Sequence, residues 1–206
     1  MIDIRDIGIL PYLEGLKMMR SLQTQRINDE ITDTLLILEH EEIVTIGPRA
    51  RNDGISPPSD YPTLDVDRGG GLTWHGPGQI VCYPIFKWGL REHEASVAEI
   101  INKLEEWVIN ALRLCDIMGQ RDVRMQGVWV DGRKICSIGL SFSRWVSRHG
   151  FTININTPLG RVEGVAGCGL GTDTTTSLST MGYTVGREQI KQALLVTMED
   201  SLFNGS

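Results

Sequence analysis

Four short segments of this 206-residue chain hold the residues most able to do chemistry. The first is Asp67-Arg68-Gly69-Gly70-Gly71-Leu72-Thr73-Trp74-His75-Gly76-Pro77-Gly78-Gln79. Three consecutive glycines remove side chains where a long ligand could lie along the backbone, with Arg68 and His75 as polar brackets. The segment does not match the GxxxxGK[ST] phosphate loop. The second runs from Gly127 to Gly139 and places Lys134 in an otherwise apolar stretch. Strand periodicity puts Lys134, Cys136 and Ile138 on one face. The third is Arg148-His149-Gly150-Phe151-Thr152-Ile153-Asn154. The fourth is Gly164-Val165-Ala166-Gly167-Cys168-Gly169-Leu170-Gly171, followed by Thr174-Thr175-Thr176-Ser177-Leu178. A cysteine between two glycines has an accessible sulfur and flanking amides able to face a reacting oxygen, the two requirements of a thiol nucleophile. Free cysteines are more often small buried hydrophobes, a role that suits Cys82 and Cys115 better than Cys168.

The elements that must position these residues are legible in outline. A helix is expected over 11–28, with Leu13, Leu16 and Met19 at helical spacing, then strands over 34–39 and 43–46, the latter ended by Gly47-Pro48. Further strands are expected over 64–67, 72–75 and 79–86. Ser96 with Glu99 forms a capping box, followed by an apolar stripe of Val97, Ile100, Ile101, Leu104, Val108, Ala111 and Leu112. Asp131-Gly132 between two apolar runs signals a hairpin. A strand over 151–155 and a last helix from Thr184 complete the pattern, with Ile190, Leu194, Met198 and Leu202 facing inward. The expected fold class is α+β (α/β), a mixed sheet with flanking helices, in one domain spanning 1–206.

Composition excludes several classes. Apolar residues make up 41% and charged residues 22%, a globular profile. The net charge of −6 argues against nucleic acid as a substrate. No pair of the four cysteines has CxxC spacing and only four histidines are present, so a metal site is not expected. No apolar run approaches the roughly 18 residues of a membrane span, and Met1 to Ile9 lacks a signal-peptide layout. The expected compartment is the reducing cytoplasm. The charge is uneven: Arg113, Arg121, Arg124, Arg133, Lys134, Arg144 and Arg148 face only Asp116, Asp122 and Asp131 over their stretch. On this reading Arg121, Arg124, Arg144 and Arg148 form a basic rim for an acidic partner.

Together the four segments resemble the lipoyl(octanoyl) transferase family over nearly the whole chain. The most specific pieces are Arg68-Gly69-Gly70 with Thr73 to Gln79, Lys134-Ile135-x-Ser137-Ile138-Gly139, His149-Gly150-Phe151, and Cys168-Gly169 with Thr176-Ser177-Leu178. The resemblance implies the fold of biotin and lipoate protein ligases and a catalytic Cys168/Lys134 dyad. It implies substrate binding by Arg68, Gly69, Gly70, Gly71, Leu72, Thr73, Trp74 and His75, by Ser137, Ile138 and Gly139, and by Gly150, Phe151 and Thr152. It further implies transfer of octanoyl (or lipoyl) from an acyl carrier protein to a lysine of lipoyl domains, without a cofactor. The acceptors would be E2 subunits of 2-oxoacid dehydrogenases and the glycine cleavage H protein. The family commonly has proline before the nucleophile, where this chain has Gly167. Competing expectations are an ATP-using ligase on the same fold, a cysteine hydrolase using His149 and Asn154, and a non-catalytic acyl-binding module.

Overall fold

Leu35 to Leu38 is an unbroken apolar run because its strand is covered on both faces. The computed structural model describes residues 1–165, 171 and 174–203. In chain order the elements are β1 (Asp3–Leu10), α1 (Tyr12–Ile27), β2 (Thr34–His40), β3 (Ile43–Ile46), α2 (Pro48–Asn52), β4 (Thr63–Asp65), β5 (Leu72–His75) and β6 (Gln79–Ile85). They continue with α3 (Val97–Arg113), β7 (Val128–Val130), β8 (Arg133–Ser143), β9 (Val146–Asn154) and α4 (Arg187–Leu202). On β2, Leu35 and Ile37 enter a core shared with α3 and α4, while Leu36 and Leu38 enter a second core beneath α1.

The main sheet has the order β1-β2-β6-β9-β8-β7. β1 runs parallel to β2 and the other pairs are antiparallel, so the sheet is mixed. A smaller sheet, β4-β3-β5, is also mixed and carries a third apolar cluster of Val44, Ala50, Tyr61, Leu72, Trp74, Val162 and Val165. Mixed sheets with flanking helices are the expected fold class.

Local chemistry explains the boundaries. Ser96 and Glu99 form the full capping box at the start of α3, each side chain accepting the other's backbone N–H. Asp131 and Gly132 both have positive φ, 47° and 77°, the turn that matches the twist of the β7–β8 hairpin. Strand β1 has no counterpart in the sequence pattern, and three expectations need correction. Leu13 is 55% exposed, because α1 buries Tyr12, Gly15, Leu16 and Met19 instead. Val97, the first residue of the α3 stripe, is 45% exposed. The last helix begins at Arg187, capped by the extended Gly186, three residues beyond Thr184. Among the described residues no helix is long and apolar enough to cross a membrane.

Candidate active site

The glycine run is held in place by an inward-facing arginine. The Arg68 guanidinium is 5% exposed and donates to the carbonyls of Thr45 (2.9 Å), Gly69 (3.1 Å) and Gly71 (3.0 Å) and to Thr45 Oγ1 (2.7 Å). Gly47 and Arg49 donate backbone N–H groups to Gly71 and Gly70, and Gly69 donates to Leu140 on β8. The loop thus lies wedged between the β3–α2 turn and β8. Its neighbours must lack side chains: a Cβ on Gly47 would fall 2.3 Å from the Gly70 oxygen, and one on Gly139 would fall 2.7 Å from the Gly69 oxygen.

Lys134 stands across from this loop. Strand periodicity puts it on one face with Cys136 and Ile138; Ile138 does line the same cavity, and the pairing separates Lys134 from Cys136 alone. Val128 pairs with Cys136 and Trp129 with Lys134, so Ile135 is an extra residue and β8 bulges there. The bulge turns Ile135 and Cys136 into the core and brings Lys134 to line a cavity with Ser137. Lys134 is 5% exposed. Burial pushes its ammonium down to about 8, with Arg68 acting in the same direction and Cys136 and Glu105 opposing. Among the described residues no hydrogen bond to its Nζ is formed.

A cavity of about 350 Å³ opens between the glycine loop, β8 and the start of α3. Of the residues expected at the site, Arg68, Gly69, Gly70, Gly71, Leu72, Thr73, Lys134, Ser137, Ile138 and Gly139 line it. Behind it, a hollow of about 20 Å³ is bordered by His75, Gly150, Phe151 and Thr152 together with Arg68, Thr73, Ser137 and Gly139. The Phe151 ring itself packs edge-on against Trp107 of α3 in the core. Trp74 is not on the larger cavity; its indole N–H donates to Glu42 (3.0 Å), and it faces Lys134 and Thr175 across a smaller hollow. The cavity wall also includes Arg49, Val97, Ile101, Val123, Met125, Gln126 and Leu140, none of which the sequence marked. They carry no reactive group. The sequence carries no signal for them as site residues; it is the fold that marks them, leaving Val97 half-exposed and Val123 fully so.

His75 and His149 sit beneath the site as buried groups. His75 Nδ1 meets Gln79 Oε1 at 2.9 Å and its Nε2 meets Thr45 Oγ1 at 3.3 Å; burial holds it well below its usual value. His149 is pushed down to about 4 by burial, although Asp67 at 3.0 Å opposes this. Gln79 also donates to Asn154, whose amide donates to the Thr176 carbonyl. His149 and Asn154 therefore have separate structural partners, which disfavours their pairing in a hydrolase triad.

Cys168 lies outside the described residues. The chain after it is tied to Lys134: Lys134 N–H donates to Thr174 O (2.8 Å) and Thr176 N–H to Lys134 O (2.9 Å). The other cysteines are poor nucleophiles. Cys82 and Cys136 are fully buried, and burial raises both thiols, Cys136 up to about 12. Cys115, half-buried just past α3, is also raised by burial. The expected basic rim is largely neutralised. Arg121 pairs with Glu105 and Glu106, Arg124 with Asp122, and Arg148 with Asp67.

Residues 11–199 match the model of the lipoyl protein ligase A/B catalytic domain. Among curated proteins, an octanoyltransferase of Rubrobacter xylanophilus is 39% identical over 178 residues, 82% of this chain and 79% of that one. An octanoyltransferase of Caldanaerobacter subterraneus subsp. tengcongensis is 36% identical over 205 residues, 96% of this chain and 89% of its own. Among solved structures, a lipoate-protein ligase A bound with ATP has a TM-score of 0.66 at 14% identity, covering 98% of this chain and 84% of that chain. A biotin protein ligase from Aquifex aeolicus has a TM-score of 0.57 at 12% identity, covering 98% and 69%. The structural likenesses establish the shared fold, and the sequence relatives establish more: the chain belongs to the lipoyl protein ligase A/B catalytic-domain family and, within it, to the octanoyltransferases.

Proposed function

We propose that this chain is an octanoyltransferase of lipoate biosynthesis working through a thioester on Cys168, with residues 1–206 as one catalytic domain. The observation that carries the reading is Lys134, buried beside an acyl-sized cavity and titrating near 8. A protonated lysine favours a nearby thiolate, and a pKa near the working pH lets the same group take up or release a proton. In the first step the Cys168 thiolate attacks the carbonyl of octanoyl carrier protein. The carrier's sulfur leaves as thiolate and takes a proton from the Lys134 ammonium, which leaves the lysine neutral for the second step. In the second step a lysine amine of a lipoyl domain attacks the Cys168 thioester. An amide forms, Cys168 leaves as thiolate, and the amine's proton passes to Lys134. The acyl tail lies along Gly69 to Gly71 and Leu72 in this reading. The donor is acyl carrier protein, and the acceptors are E2 lipoyl domains and the glycine cleavage H protein. The reaction belongs in the cytoplasm, where the thiol stays reduced.

The test is intact mass after mixing with octanoyl carrier protein in the absence of ATP. The expected result is one added octanoyl group, mapped to Cys168, lost in Cys168→Ser and kept in Cys136→Ser. An adduct on Cys136 would overturn the assignment, and a strict need for ATP would favour the ligase reading.

A further inference from the structure

Helix α3 carries one buried carboxylate in its apolar stripe. Glu105 is 4% exposed, one turn beyond Ile101, which lines the cavity. Its Oε1 accepts the Gly127 backbone N–H at 2.8 Å, and its Oε2 accepts Arg121 Nε–H at 3.0 Å. Arg121 in turn donates to the Asn102 carbonyl and to Glu106. A buried acid is retained at low cost only when its oxygens are satisfied, and here both are.

Gly127 is where this carboxylate meets the catalytic side. It has φ +126°, and a Cβ there would fall 2.7 Å from Lys134 Cε and 2.2 Å from the Cys136 oxygen. The lysine stem therefore runs directly over the Gly127 backbone. The adjoining Met125 and Gln126 form part of the cavity wall. Displacing Gly127 would move both the floor under the stem and that wall.

Resting on the reading that Lys134 performs the proton chemistry, we propose that Glu105 is a positioning residue: it fastens Gly127 beneath the Lys134 stem and supplies a fixed negative charge on that side of the ammonium. Among the described residues, the charged and titratable groups around that ammonium are Cys136 on its own strand, Arg68 of the glycine loop and Glu105 of α3, and Glu105 is the one carboxylate of that set. Arg121, on its far side, balances the carboxylate without reaching the lysine in the described contacts.

Glu105→Gln tests this, because glutamine keeps an oxygen for the Gly127 N–H and removes the charge. Lys134 is followed through the pH dependence of its 13Cε shift, against Lys17, Lys87, Lys103 and Lys191 as internal references. The expected result is a folded protein whose Lys134 midpoint falls by about half a pH unit or more, as loss of a nearby carboxylate requires. Its kcat should fall about fivefold or more with a smaller change in KM, the pattern of a lost proton-transfer match. Glu106→Gln, which removes only Arg121's surface partner, should move neither. Glu105→Ala should add a rise in KM for the acyl donor, because the wall at Met125 and Gln126 loses its tether. An unmoved Lys134 midpoint in Glu105→Gln overturns the proposal, as does a moved midpoint with unchanged kcat. If Lys134→Ala retained full activity, the dyad reading would fail by itself, while the shift measurement would still judge the geometric link between Glu105 and the amine.

Discussion

Lys134 owes its properties to competition between solvent loss and neighbouring charge. Burial lowers the ammonium, Arg68 adds to that, and Cys136 and Glu105 pull the other way, leaving it at about 8. At neutral pH it remains mostly protonated yet can give up its proton within a unit of pH. Arginine at this position would keep the charge and lose the titration. Lys134→Arg is therefore expected to form the octanoyl thioester but transfer it to a lipoyl-domain lysine about 100-fold more slowly or worse. Single-turnover assays of the two half-reactions separate these steps, and full transfer activity in Lys134→Arg would exclude a proton-accepting role. The identity of this lysine was legible because an amine in an apolar run is chemically unusual. Its direction was not. Period-two reasoning grouped it with Cys136, and the bulge at Ile135 that separates them comes from how β7 and β8 pair, which no local pattern encodes.

At the scale of elements, legibility followed local chemistry. The capping box of α3 and the Asp131-Gly132 turn are written in side chains that act on their own backbone, and both appear as read. The β8–β9 hairpin was hidden because its turn uses Arg144 and Trp145, at φ 48° and 62°, where glycine or asparagine would have announced it. Strand β1 was hidden because it is an edge strand with an exposed Ile4 and Ile9 and interleaved charges, so its strand character comes from pairing with β2. Glycines, by contrast, report tertiary contacts. Gly150 lies on β9 where a Cβ would fall 2.1 Å from the Cys82 oxygen on β6. Both strands are central in the main sheet, so neither backbone can withdraw without disturbing further pairs. Gly150→Ala is expected to cost about 2–3 kcal/mol, the upper range for overpacking a close contact. Gly132→Ala meets open space and bears only a positive-φ penalty of about 1 kcal/mol. Urea denaturation of the two variants distinguishes these cases. Equal losses would mean that the β6–β9 approach relaxes freely.

For the whole molecule, the clearest consequence is a dependence of stability on pH set by three histidines. His40, His75 and His149 come from β2, β5 and β9, yet they gather with Tyr12 of α1 and Tyr83 of β6 into one buried group. Tyr12 lies 4.8 Å from His40 and 5.4 Å from His75, and His40 lies 5.6 Å from His75, between ring centroids. Each ring nitrogen has a partner: Leu10 O and Tyr83 for His40, Gln79 and Thr45 for His75, Asp67 and Tyr12 for His149. Burial pushes His40 and His149 down to about 4 and His75 well below 6.5. In the unfolded chain each would titrate near 6.5. Between those values the unfolded state holds the extra protons, so stability rises with pH there. The contribution is complete above about 6.5 and is lost as pH falls towards 4. For His40 and His149 the shift corresponds to roughly 3 kcal/mol each, at about 1.4 kcal/mol per unit. Set against the 5–15 kcal/mol or so that holds a typical domain folded, this predicts acid unfolding above the range in which most carboxylates protonate. Urea denaturation at several pH values between 7.5 and 4.5 should show stability falling with an uptake of about three protons on unfolding below pH 6. His40→Gln should reduce that uptake by one and flatten the curve while lowering stability at pH 7. A flat stability from pH 6.5 to 4.5 would mean that the histidine cluster admits protons without unfolding, and the buried-neutral account of these rings would be wrong.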